Sequence, residues 1–159
     1  ILDNELGKLA AKVSPQDAIQ YEDVIELVGM SREEQAWEIQ SVILSGNLKA
    51  SLKKLSELDR VSKQPRELLM WSVVDLTRRL SAASNMFDTG ASTSEIRKSL
   101  KLFGDGGERM LTVAKKMSSQ TLSTLFTDAV GIDAQTRTGL LTGQHGIEML
   151  TVRVCKVIS

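Results

Sequence analysis

Residues 2–13 read LDNELGKLAAKV and residues 21–47 read YEDVIELVGMSREEQAWEIQSVILSGN. Apolar side chains recur in both segments at the three- and four-residue spacing of an amphipathic helix. Gly29 suits a helix end, where the backbone often adopts a positive φ angle, and Ser31 suits the start of a helix. The pattern therefore predicts two short helices, over 2–13 and 21–28, followed at once by a third.

Helical spacing continues to the end of the chain, and no segment shows the alternation that is typical of a strand. We therefore expect an all-α fold, in which seven further helices form one compact bundle. The longest of them, over 65–87, is expected to be the spine of this bundle. The seven helices are predicted over 31–46, 47–58, 65–87, 92–103, 108–117, 118–132 and 147–157.

Local signals support several of these boundaries. The pairs Ser31–Glu34 and Ser92–Glu95 have the spacing of capping boxes, in which each side chain bonds to the other residue's backbone N–H. Loops are predicted between helices where polar or glycine-rich segments occur. These segments are Arg60–Gln64, the glycine-rich Gly104–Gly107, and Gly139–Gly146.

The charges are unevenly distributed along the chain. Residues 1–46 carry nine acidic and three basic side chains, whereas residues 49–79 carry eight basic and four acidic ones. Residues 97–116 carry six basic and two acidic side chains. This polarity either orients a partner or reflects solvated helix faces. We predict a boundary after residue 29, because residues 1–29 are too few to form a core of their own.

The composition indicates an ordinary globular protein. Of the 159 residues, 42% are hydrophobic and 25% are charged, and the net charge is zero. A protein that holds nucleic acid mainly through phosphate contacts is usually basic. Apolar runs are all shorter than the ~20 residues that span a bilayer, and a single cysteine fits a reducing compartment. We expect a cytoplasmic protein with no membrane contact, and a fragment of a longer chain because it begins with Ile1.

Patterns that carry chemistry are missing from the sequence. No phosphate-binding loop of the form G-x-x-x-x-G-K-[ST] occurs in the sequence. The glycine-rich segment Gly104–Gly107 does not qualify, because it lacks the lysine and the preceding strand of that motif. His145 and Cys155 are the sole histidine and cysteine, which is too few for a typical zinc site. We expect His145 to be an exposed loop residue and Cys155 to be packed in the core. No catalytic, cofactor-binding or metal-binding residue is predicted.

The opening stretch resembles the delta subunit of the bacterial DNA polymerase III clamp loader. In that family a lid domain ends with a helix of the type Asn-Glu-Leu-x-Lys-Leu, here residues 4–9, and an Asp-Val-x-x-Leu-Val segment follows, here residues 23–28. Residues 129–139 (AVGIDAQTRTG) are similar to the family's pattern before its final helix, although Arg137 stands where lysine is common. Residues that fill further positions of the pattern are Ser31, Glu34, Trp37, Gly46, Leu52, Leu55, Leu58, Leu68, Leu69, Arg78 and Leu80.

This resemblance implies a fold and a set of partners. Residues 1–29 would be the end of an AAA+-type lid domain, and residues 30–159 a collar-like oligomerisation domain of about seven helices. The collars of the other loader subunits would be direct partners. The sliding clamp would be bound through an N-terminal domain absent from this chain, and DNA would lie within the assembled complex. The parent assembly would be a DNA polymerase holoenzyme, a nucleotidyltransferase, with no active site in this fragment.

Two interaction hypotheses name different residues. The first is subunit packing through the exposed edges of the long helix, with Trp71, Arg78 and Arg79 as partner-binding residues. Burial of Trp71 in the core is the alternative for that residue. The second hypothesis is a helical nucleic-acid-binding module that contacts primer–template DNA through basic helix faces. Its candidate residues are Lys49, Lys53, Lys54, Lys115 and Lys116.

Overall fold

The computed structural model describes the backbone of residues 32–159 and the side chains from Ala36 onward. This part of the chain contains seven α-helices and no strand, which confirms the all-α prediction for it. The helices are α1 (Arg32–Ile43), α2 (Leu48–Ser56), α3 (Arg66–Asp88), α4 (Thr93–Leu100), α5 (Gly104–Lys116), α6 (Ser119–Arg137) and α7 (Gly143–Ile158).

The predictions for the first part of the chain lie outside the described residues. They are the two short helices over 2–13 and 21–28, the boundary after residue 29 and the Ser31–Glu34 capping box. The chain divides into two units between Gln35 and Ala36.

The long helix α3 forms the spine of the bundle, as predicted. It packs against α4, α5, α6 and α7. Its core side chains recur at helical spacing and include Leu69, Val73, Leu76 and Leu80, all with no exposed surface. Burial of such a side chain contributes roughly 1.5–3 kcal/mol, so this single row of α3 residues supplies a large share of the core.

Helix α1 is attached to α3 by hydrogen bonds as well as by apolar contact. The Gln40 side chain donates to the Ser72 carbonyl oxygen at 2.7 Å, and the Ser72 hydroxyl donates to the Ala36 carbonyl oxygen at 3.1 Å. Both groups are buried, where an unpaired polar atom would be costly. These bonds fix the register of α1 along the spine.

Side-chain caps begin four of the helices. The predicted capping box at Ser92 and Glu95 is present, and the hydrogen bonds from Ser92 lower the pKa of the Glu95 carboxyl below its ordinary value. Asn47, Ser118 and Thr142 each accept a hydrogen bond from a backbone N–H three residues further along. Caps of this kind typically contribute about 1 kcal/mol each.

The glycine-rich segment Gly104–Gly107 was predicted as a loop, and this prediction is wrong, because it forms the first turn of α5. The preceding helix α4 is shorter than predicted. It ends at Leu100 because Lys101 adopts a left-handed conformation, with φ of 53°. Phe103 is the last residue of the helix predicted over 92–103 but lies beyond the helix in the structure, and 72% of its surface is exposed.

Two other connections are also more helical than predicted. A π-helical turn, Glu57–Val61, covers the start of the segment predicted as a polar loop. Helix α6 continues to Arg137, where an ion pair with Asp133 one turn earlier supports its last turn. Helix α7 begins at Gly143, so His145 is exposed as expected but lies in a first helical turn rather than in a loop.

Candidate interaction surface

Trp37 of α1 and Trp71 of α3 form an aromatic pair on the surface. Their ring centroids are 5.0 Å apart and their planes are inclined by 81°, an edge-to-face arrangement. Such pairs contribute about 0.5–1.5 kcal/mol beyond the area they bury. Half of the Trp71 side chain is exposed, so its predicted alternative, burial in the core, does not hold. Trp71 instead presents apolar surface to solvent beside the half-buried Trp37.

A carboxylate holds two arginines beside this pair. Arg78 donates from two nitrogens to one carboxylate oxygen of Asp75, at 3.0 and 2.6 Å. The Nε atom of Arg79 lies 2.6 Å from the other oxygen, as an ion pair without hydrogen-bond alignment. Asp75 is only 6% exposed. A buried carboxylate needs such partners. The same contacts hold the guanidinium groups of Arg78 and Arg79 in place.

Arg79 also connects the charged group to the aromatic pair. Its guanidinium carbon lies 5.4 Å from the centroid of the Trp37 ring, within the range of a cation–π contact. The structure therefore brings together Trp71, Arg78 and Arg79, the three residues predicted for partner contact. It adds Trp37 and Asp75, which the sequence did not indicate as partner-binding residues. We call these five residues, Trp37, Trp71, Asp75, Arg78 and Arg79, the aromatic–arginine surface.

An open cleft of about 190 Å³ adjoins the aromatic–arginine surface. Trp37 and Arg79 form one side of it, and the connection from α4 to α5 forms the other, with the exposed Phe103 at its edge. We call it the Phe103 cleft. Buried apolar residues line it, namely Leu44, Leu102 and Met110, which are all less than 9% exposed, and the polar residues Gln40 and Ser41 line it as well. Helical periodicity does not indicate this position of Phe103, because the position depends on where α4 ends.

The five lysines proposed for DNA contact lie on two separate helices. Lys49, Lys53 and Lys54 are on α2, which packs against α7, whereas Lys115 and Lys116 end α5, which packs against α3. Lys54 forms ion pairs with Glu38 and Glu57, and the hydrogen bonds that its ammonium group donates to these two carboxylates raise its pKa. The other four lysines are exposed and form no ion pair with the described residues.

The described residues bear on two kinds of chemistry, that of a metal site and that of a reactive thiol. Within residues 36–159, no group of three or more His, Cys, Asp or Glu side chains is placed so that it could hold a metal ion. Cys155 is fully buried, as predicted, and burial raises the pKa of its thiol. A thiol with a raised pKa forms less of the reactive thiolate. None of the described helices is both long and apolar enough to cross a membrane.

Comparison with solved structures relates this chain to one protein in particular. Models of protein families and curated protein sequences give no match. The Bacillus subtilis DNA clamp loader delta protein is similar in structure, with a TM-score of 0.70, 20% sequence identity and 96% of this chain covered. The chain spans 45% of the length of that protein. The resemblance drawn from the sequence is thus confirmed at the level of the fold: this chain has the fold of part of a clamp loader delta protein.

Proposed function

We propose that this chain is the C-terminal part of a clamp-loader delta subunit and that it acts in DNA replication as an assembly module. The observation that carries the proposal is the structural similarity to the Bacillus subtilis clamp loader delta protein across almost the whole chain. In this role the bundle packs against the collar domains of the other loader subunits in the cytoplasm and holds their ring together. The sliding clamp would be bound by a domain outside these 159 residues.

The aromatic–arginine surface fits subunit contact for physical reasons. Aromatic residues and arginine are enriched in protein interfaces, whereas lysine and glutamate are depleted. Ordering a flexible side chain on binding costs about 0.5–1.5 kcal/mol. Trp37, Arg78 and Arg79 are already held by contacts within the chain. A partner would therefore meet a largely preorganised surface.

We expect the chain to co-purify with the other loader subunits, and Trp71→Ala to weaken that association about 10- to 100-fold. An aromatic residue near the centre of an interface typically contributes 2 kcal/mol or more to binding, which corresponds to such a change. Size-exclusion chromatography and titration calorimetry of the reconstituted complex would measure the effect. Leu140→Ala is the matched control, because Leu140 is 77% exposed and lies in the connection between α6 and α7.

Two results would contradict the proposal. One is the absence of any association between the unmodified chain and the other subunits, with or without nucleotide. The other is an equal loss of affinity in Trp71→Ala and Leu140→Ala, because this would point to a general effect of removing apolar surface. Circular dichroism of both variants would show whether the helical bundle is intact.

DNA binding through the basic helix faces is the second candidate. The observation in its favour is that Lys49, Lys53, Lys115 and Lys116 are exposed without ion-pair partners among the described residues. Binding of primer–template DNA by the chain alone, with an affinity that falls steeply with salt, would support it. Each lost phosphate contact should then reduce the slope of log affinity against log salt by about 0.9. Salt-independent or undetectable binding would exclude this candidate.

A further inference from the structure

We propose that the Phe103 cleft is the receiving site for an acidic segment of another polypeptide, which inserts an apolar side chain next to a carboxylate. The inference rests on the proposed function in one respect, namely that the segment comes from a neighbouring loader subunit. The geometry of the cleft itself supplies the remaining arguments, which concern its size, its charge and the protruding phenylalanine.

The size of the cleft suits one side chain. Its volume is about 190 Å³, whereas sites for cofactors and drug-sized ligands usually measure about 300–1,000 Å³. Leu44, Leu102 and Met110 give the cleft an apolar part beside the polar Gln40 and Ser41, and Phe103, which also lines it, is 72% exposed. Burial of an exposed aromatic side chain against an apolar anchor is a common source of binding energy. The cleft therefore favours a leucine or phenylalanine side chain over a small-molecule ligand.

The charge of the cleft specifies the chemistry around that anchor. Arg79 and Lys101 line it, and no carboxylate is among its lining residues. Gly106 and Gly107 also line it, in the first turn of α5, where unpaired backbone N–H groups and the helix dipole favour negative charge. Asp75 offsets part of the charge of Arg79, so a carboxylate beside the apolar anchor would meet positive charge chiefly from Lys101 and from the first turn of α5. A basic segment would be repelled.

The same contacts disfavour single-stranded nucleic acid as the occupant. Bases bind such surfaces by stacking on the faces of aromatic rings. Arg79 already lies over the Trp37 ring, and Trp71 makes an edge-to-face contact with it. The surface is therefore better suited to a carboxylate and an apolar side chain than to stacked bases.

The intrinsic fluorescence of the chain offers a direct test, because its two tryptophans both belong to this surface. The probe is a tryptophan-free 12-residue peptide of Asp and Glu around a central Leu-Phe pair. Its matched controls are the peptide with Lys in place of Asp and Glu, and the oligonucleotide dT12. We expect a saturable change of tryptophan emission with the acidic peptide, about 10-fold weaker binding by Phe103→Ala, and unchanged binding by Leu140→Ala. Equal or tighter binding of the basic peptide or of dT12 would overturn the proposal, as would a Phe103→Ala variant that binds like the unmodified chain.

A second measurement separates this inference from the proposed function. A photo-crosslinking benzoylphenylalanine is placed at position 103 of the chain, which is then assembled with the other loader subunits. We expect a crosslink to an acidic segment of one of those subunits. An assembled loader that crosslinks at a segment without carboxylates, or to nucleic acid, would refute the inference and leave the proposed function standing. Binding of the acidic peptide by a chain that does not join the loader would refute the proposed function instead.

Discussion

Replacing Gly107 with alanine is expected to lower the free energy of unfolding by about 3 kcal/mol. A Cβ atom at this position would lie 2.6 Å from the carbonyl carbon of Leu102 and 2.8 Å from its oxygen. These are backbone atoms, so no side-chain rotation can relieve the overlap, and the first turn of α5 must move away from the Leu102 segment. Urea unfolding followed by circular dichroism would show a lower midpoint with an unchanged slope.

The neighbouring glycine provides a matched control for this substitution. Gly106 is also in the first turn of α5, but a Cβ atom there would meet nothing within 4 Å. Gly106→Ala is therefore expected to raise the free energy of unfolding by about 0.5–1 kcal/mol, since alanine has the higher helix propensity. A destabilisation of similar size in both variants would mean that the contact with Leu102 is not the cause.

Gly107 also matters for the proposed binding site. Because residue 107 has no side chain, the backbone of Leu102 can lie directly against the first turn of α5. Phe103 follows Leu102 in the same connection and lines the cleft. A local shift of this segment would move one side of the Phe103 cleft. A Gly107→Ala variant that remains folded at low temperature should therefore bind the acidic peptide more weakly, whereas Leu140→Ala, which lies outside the cleft, should bind it normally.

The parts of the fold that follow from local sequence were predictable. The three- and four-residue spacing of one helix face relates Leu69, Val73, Leu76 and Leu80. The ends of α3 were accordingly predicted to within one or two residues. The Ser92–Glu95 capping box is likewise a local signal, because both of its hydrogen bonds join residues three apart. Features of this kind depend on neighbours in the chain and can be inferred without tertiary structure.

The errors arose where tertiary contact overrides local preference. Four residues that include three glycines suggest a loop, yet Gly107 is helical because only a residue without a side chain can approach Leu102 so closely. The position of Phe103 could not be inferred either, since it depends on the left-handed conformation of Lys101, which is rare for a residue with a side chain. Both features contribute to the Phe103 cleft, which is why the sequence analysis did not find it.

The candidate surface was predictable in part, for a similar reason. Trp71, Arg78 and Arg79 fall on one long helix, so their proximity follows from its periodicity. The contact between Trp37 and Trp71 joins residues 34 positions apart and depends on how α1 lies on α3. Asp75 could have been found from its spacing, since carboxylate and guanidinium groups three and four residues apart on a helix form ion pairs.

Gly146→Ala is expected to lower the free energy of unfolding by about 2 kcal/mol, through crowding between α6 and α7. A Cβ atom at this position would overlap the hydroxyl oxygen of Thr136 and would lie 3.1 Å from the terminal methyl carbon of Met70. The Thr136 hydroxyl cannot easily turn away, because it donates to the Ile132 carbonyl oxygen within α6. Thermal unfolding of the variant should therefore show a decrease of several degrees.

The cause of that loss can be isolated by a second substitution at the contact. Thr136→Ala removes the obstructing hydroxyl, so the double variant should recover 1 kcal/mol or more of the loss, a coupling typical of residues in direct contact. Gly131→Ala on α6 is the control, because a Cβ atom there would meet nothing within 4 Å. It should stabilise the helix by up to about 1 kcal/mol. If the two substitutions at Gly146 and Thr136 were simply additive, the close approach of α6 and α7 would not explain why residue 146 is a glycine.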